Sequence, residues 1–195
     1  METIPTDQFF AWAQTRGIVL DPVYSPPKCL VYDGVAAESR WWDVPRQAGE
    51  VNRFISHLLT GVGTWKECYL WRRGGCWPNV APPRNRLEAA RRMVAMGPAI
   101  PDGFAGAVKY TAEELSLMVG RVTAHVMSGL CVNDDLFLLP DDGRHIVHTD
   151  HHDVVHVSSL DTTAISRLIG HMAGGGYSLP AELLDWTFKR PSWMP

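Results

Sequence analysis

The chain has 195 residues, 46% hydrophobic and 20% charged, with a formal net charge of −3. A single domain of that length buries roughly 70% of its unfolded surface, so it needs neither a disulfide nor a metal to hold a core. The composition excludes a disordered or collagen-like chain, and no apolar run approaches the ~20 residues of a membrane helix.

METIPTDQFF at the N-terminus lacks the basic and apolar regions of a signal peptide, which points to a cytoplasmic protein. Thr6 before DQFFAWAQTR, with Gly17 after it, predicts a short helix capped by Thr6. Residues 18–45 carry Asp-Pro, Ser-Pro-Pro and Asp-Gly turn signals around one apolar run, Cys29 to Tyr32, which reads as a strand between loops. Val51, Phe54, Ile55, Leu58 and Leu59 recur at helical spacing before Gly61.

Residues 64–72 alternate. Trp65, Glu67, Tyr69 and Trp71 share one face of a strand; Lys66, Cys68, Leu70 and Arg72 share the other. A loop through Gly74-Gly75 follows, then a helix from Arg84 to Met96 and a strand from Ala105 to Tyr110. Thr111 and Glu114 form a capping box before a helix running to Gly129. Leu136–Leu139, Arg144–Thr149 and Asp153–Ser158 make a meander, with Pro-Asp-Asp-Gly as its first turn. Asp161 caps a last helix to Met172, and the tail from Tyr177 wraps the surface. The expected architecture is α+β: one domain over 1–195, an antiparallel meander with several helices packed on one face.

The net charge conceals polarity. Residues 1–98 carry twelve Lys/Arg against nine Asp/Glu, and residues 99–195 carry six against twelve. Six arginines fall between Arg72 and Arg92, and six aspartates between Asp134 and Asp153. No nucleic-acid motif accompanies the basic stretch. Cys29, Cys68, Cys76 and Cys131 match no zinc-finger spacing and read as reduced thiols; the Gly-Gly between Cys68 and Cys76 permits a hairpin disulfide without requiring one.

Five of the eight histidines lie in RHIVHTDHHDVVHVSS. Imidazole beside carboxylate suits zinc, manganese, iron or nickel, and histidine also carries protons near neutral pH. The candidate ligands are His148, His156, Asp150 and Asp153. Register decides whether they cooperate. A three-residue turn at Asp150–His152 sets His148 and His156 diagonally on one face, whereas a two-residue turn at His151-His152 separates them. A polar hairpin tip with no ligand accounts for the same residues, and a Cys–His nucleophile is a further option.

Short strings here resemble known families without completing them. His148-Thr-Asp150-His151 resembles half of the H-x-H-x-D-H motif of metallo-β-lactamase-fold hydrolases, but Ile146 stands where the first His belongs. Asp150-His-His is similar to the tripeptide of DHH phosphoesterases, without an upstream D-x-D. His156-Val-Ser158 resembles one of the two H-h-S units of two-histidine phosphoesterases. None of these carries a family assignment.

Of the tryptophans, Trp12, Trp65 and Trp71 read as core, whereas Trp41, Trp42 and Trp77 fall in loops beside arginines, either as interface anchors or as plugs for a sheet end. Two functions follow. One is a non-enzymatic protein-binding module, an inhibitor or immunity-type partner, using those tryptophans with Asp134, Asp135, Asp141 and Asp142 against a basic protein and needing no cofactor. The other is a small metal-dependent hydrolase, phosphoesterase-like, holding zinc or manganese at the histidine cluster.

Overall fold

A computed structural model describes residues 1–22, 29–45, 47–77, 100–101, 103–128, 135–150 and 153–180. In chain order the elements are β1 (Glu2–Pro5), α1 (Thr6–Gln14), β2 (Ile18–Leu20), β3 (Leu30–Tyr32), β4 (Glu38–Asp43), α2 (Ala48–Gly61), β5 (Glu67–Trp77), β6 (Phe104–Thr111), α3 (Leu115–Ser128), β7 (Leu136–Pro140), β8 (His145–Asp150), β9 (Val154–Ser159) and α4 (Thr162–Gly174). Seven strands form one antiparallel sheet in the order β1-β6-β5-β7-β8-β9-β4; β2 and β3 make a separate two-stranded ribbon. The fold is α+β, as the sequence pattern implied. The expected helix at Arg84–Met96, the tail beyond Pro180, Cys131, Asp134, His151 and His152 lie outside the described residues.

Strand alternation sends side chains to both faces of the sheet, and both are covered. On one face Cys68, Leu70, Val108, Leu138, Val147 and Val155 meet α2, α3 and α4. The apolar stripe of α2 (Val51, Phe54, Ile55, Leu58, Leu59) is wholly buried there, as its spacing required. On the opposite face Tyr69, Trp71, Phe137 and Ile146 meet α1 and the β2–β3 ribbon, with Phe9 fully buried beside the Tyr69 and Trp71 rings. Three helices therefore share one face, and α1 takes the other.

Local chemistry explains the helix starts. Asp161 Oδ1 accepts from the Thr163 and Ala164 amides at 2.9 and 3.1 Å. Glu114 accepts from the Thr111 amide at 3.0 Å, and one 3₁₀ turn, Ala112–Glu114, leads into α3. Thr6 does not cap α1. The cap position is Pro5, because Glu2–Pro5 is already paired with β6 and the chain enters the helix straight from the strand.

Two expected loops are strands. Trp41 and Trp42 belong to β4, whose charged residues and turn-rich flanks disguised an edge strand. Trp42 pairs with Val155 and is 1% exposed. Trp77 ends β5 beyond a β-bulge between Trp71 and Cys76, so the Gly-Gly interrupts a strand without ending it. Its ring is fully buried, and Nε1 donates to the Gly106 carbonyl at 3.1 Å. Trp42 and Trp77 are core residues and cannot anchor a partner. Cys68 is a free buried thiol, so the hairpin disulfide does not form.

α2 and α4 meet at their C-terminal turns through a reciprocal clasp. His57 Nε2 donates to the His171 carbonyl (2.9 Å), His171 Nε2 donates to the His57 carbonyl (3.0 Å), and the rings stack at 3.9 Å. Each ring lies over a glycine of the other segment, His171 over Gly61 and His57 over Gly175.

Candidate metal centre

The three strands β7, β8 and β9 determine which histidines meet. In β8 the valine of His145-Ile-Val-His148-Thr-Asp150 packs under the helices and Ile146 packs on the α1 side. Alternation therefore places His148 and Asp150 on the α1 side with Ile146. In β9, Val155 and Val157 face the helices, which turns His156 to the α1 side as well.

The register is neither of those expected. Asp150 pairs with Val154, so three residues, 151–153, make the turn and His148 stands directly opposite His156. Asp153 occupies the left-handed position of that turn, with φ +61°, a conformation that Asp tolerates in three-residue hairpin loops. Its carbonyl accepts from the Val44 amide at 2.8 Å.

His148, Asp150 and His156 each offer a ligand atom, and the three atoms lie within 4.8 Å of one another. His156 Nε2 is 4.0 Å from Asp150 Oδ2. Bonds of about 2.0–2.2 Å in a tetrahedral site put neighbouring ligand atoms about 3.4 Å apart, so an ion would draw the group together by an ångström or so. The three side chains are partly exposed, at 18%, 13% and 22% in chain order, which leaves room for a substrate or water. Asp153, the fourth expected ligand, is not one of the three.

Beside them runs an aromatic row set by the pairing of β5, β7, β8, β9 and β4: Trp71, Phe137, His148, His156, Trp41. Phe137 stacks on His148 at 4.2 Å and 6°, and His148 on His156 at 5.5 Å and 23°. Ring stacking removes rotamers from both imidazoles and holds their nitrogens on one side of the sheet.

Asp135 proves to be a different kind of residue from the surface acid that the sequence suggested. It is 1% exposed, and its Oδ2 accepts from Arg73 Nη1 at 2.6 Å. It therefore cannot meet a protein partner. Arg73, assigned no site role from sequence, was hidden by the Gly-Gly loop signal; the pairing of β5 with β7 was not readable from the chain. Asp141 and Asp142 form the β7–β8 turn at the far end of β8, where Asp141 accepts from the Lys66 amide (3.2 Å) and Asp142 from the Arg144 amide (3.0 Å). Trp41 remains half-buried in β4, directly across from His156.

Cys29 lies within the electrostatic reach of the same group. Burial pushes its thiol pKa up; Arg73 opposes the shift, while Asp135, Asp21 and Asp150 add to it. A thiol held protonated is a poor nucleophile, which weighs against Cys–His catalysis at this face. The charges acting on Cys29, Asp135, Asp21 and Asp150 against Arg73, are predominantly negative, which favours a cation. Among the described residues no helix is long and apolar enough to cross a membrane. Compared with known protein families, curated proteins and solved structures, the chain matches none of them.

Proposed function

We propose that His148, Asp150 and His156 bind a divalent transition metal, zinc or manganese, and that the protein is a small metal-dependent hydrolase. The observation that carries this is the convergence of two imidazoles and one carboxylate from adjacent strands within 4.8 Å, on a partly exposed face. Two histidines and one carboxylate leave coordination positions open, the arrangement that lets a bound ion polarise a substrate oxygen or lower the pKa of water. The same residue set with no open face would support a structural ion instead. The protein-binding alternative retains Trp41, Asp141 and Asp142 among the described residues, and these belong to different elements.

Binding to the folded state alone stabilises it by about 2.7 kcal/mol at a hundredfold excess over Kd. For a chain of this size that raises Tm by roughly 5–11 °C. Zinc or manganese should produce this shift and co-purify stoichiometrically, with both effects lost in His148→Ala, His156→Ala and Asp150→Asn but kept in Asp153→Asn. Equal metal content in wild type and all four variants would refute the site. Loaded protein should also turn over bis-p-nitrophenyl phosphate; a loaded but inert protein would remove the hydrolase and leave a metal-binding protein.

A further inference from the structure

We infer that Asp135 is the positioning carboxylate of this centre: its Oδ2, already paired with Arg73, holds His148 through Nε2 and leaves the other ring nitrogen to meet the ion. The inference rests on the metal reading above. Continuing the register one step beyond Leu136 and Thr149 sets Asp135 opposite Asp150 and diagonal to His148. The Arg73 amide donates to the Asp135 carbonyl at 2.9 Å, which fixes the backbone of both residues at the end of the β5–β7 ladder.

His148 Nε2 is buried and makes no hydrogen bond within ordinary limits. It lies 3.4 Å from Asp135 Oδ2. A movement of about half an ångström turns that contact into a charge-assisted hydrogen bond, typically 2.7–2.9 Å long. Stacking on Phe137 at 6° sets the plane in which the ring closes that contact.

A metal-bound imidazole almost always donates its second N–H to an outer carboxylate or carbonyl, which fixes the tautomer and raises the basicity of the coordinating nitrogen. Asp135 is built for that position. Its carboxylate is buried, so water does not screen it from the ring, and the Arg73 guanidinium holds its Oδ2 in place at 2.6 Å.

The test uses cobalt(II) alone as the probe, titrated into the full chain and followed by its d–d absorption. Asp135→Asn should weaken cobalt binding 10–100-fold. The saturated spectrum should keep the wild-type band positions, because the ligands are unchanged. Unaltered affinity in Asp135→Asn overturns this inference and leaves the metal site standing. A saturated spectrum that changes coordination number makes Asp135 a ligand, which also overturns it. Wild-type protein that binds no cobalt overturns the metal reading itself. Should Asp135→Asn unfold because Arg73 loses its partner, the Arg73→Met/Asp135→Asn double variant removes both charges and is read against the same three outcomes.

Discussion

Gly61→Ala tests the clasp between α2 and α4 in a way that separates ring contact from helix propensity. A Cβ at Gly61 falls 2.4 Å from His171 Cδ2 and 2.8 Å from Leu168 Cδ1. Both distances are far inside van der Waals contact, so something must move. His171 can rotate away, losing its bond to the His57 carbonyl, about 1 kcal/mol, and the ring stack, about 0.5–1.5 kcal/mol. Leu168 is fully buried, and shifting it adds about 1 kcal/mol of overpacking. Replacing glycine in the last helical turn returns up to about 1 kcal/mol. The net expectation is a loss of about 1.5–3.5 kcal/mol, read by urea unfolding followed by circular dichroism. In a His171→Ala background the ring is gone, and the same substitution should be close to neutral. Equal cost in both backgrounds, within the 0.3–0.5 kcal/mol expected of independent sites, would show that the ring is not what the methyl meets.

Gly106→Ala should be more damaging: the residue holds φ +146°, and a Cβ there meets the backbone oxygen of Ile4 at 2.1 Å. Backbone cannot rotate aside as a side chain can, so β1 must leave β6 at a cost of roughly 2–5 kcal/mol; a change below 0.5 kcal/mol in chemical unfolding, or unaltered amide protection along β6, contradicts this. His145 supplies a pH dependence. Burial depresses its pKa below the ordinary 6.5, more strongly than Asp142 and Asp161 raise it. The unfolded state then takes up the proton first, so the stability that neutral His145 contributes is present above pH 6.5 and is lost as the pH falls through that value toward the folded-state pKa. His145→Gln should flatten the fall in unfolding free energy between pH 7 and 5 by no more than one proton's share, about 1.4 kcal/mol per pH unit; a slope equal to wild type excludes His145 as its source.

Elements whose signal is local were legible in the sequence. The α2 stripe, the Asp161 cap, the Thr111–Glu114 box and the β7–β9 meander each depend on spacing within a few residues. What escaped depends on partners distant in the chain. β1 carries one buried apolar residue, Ile4, and becomes a strand only because β6 lies beside it. β4 has the composition of a loop and is held by β9. The histidine cluster shows the same division: the residue types announced metal chemistry, but cooperation turned on a single pairing, Asp150 with Val154, that turn composition did not determine. Asp135 was legible as an acid and illegible as a buried one, because its burial comes from Arg73, 62 positions earlier.

The half-buried indole of Trp41 stands cross-strand from His156, one neighbour away from the proposed ion. Directly opposed side chains on antiparallel strands sit about 4.5–5.5 Å apart at Cβ, well inside the range over which an open-shell ion such as cobalt(II), unlike closed-shell zinc, quenches an excited indole. Cobalt(II) occupancy of the site is thus written into the protein's own ultraviolet emission. A single Trp41→Phe substitution would tell this lamp from the other seven without touching a ligand.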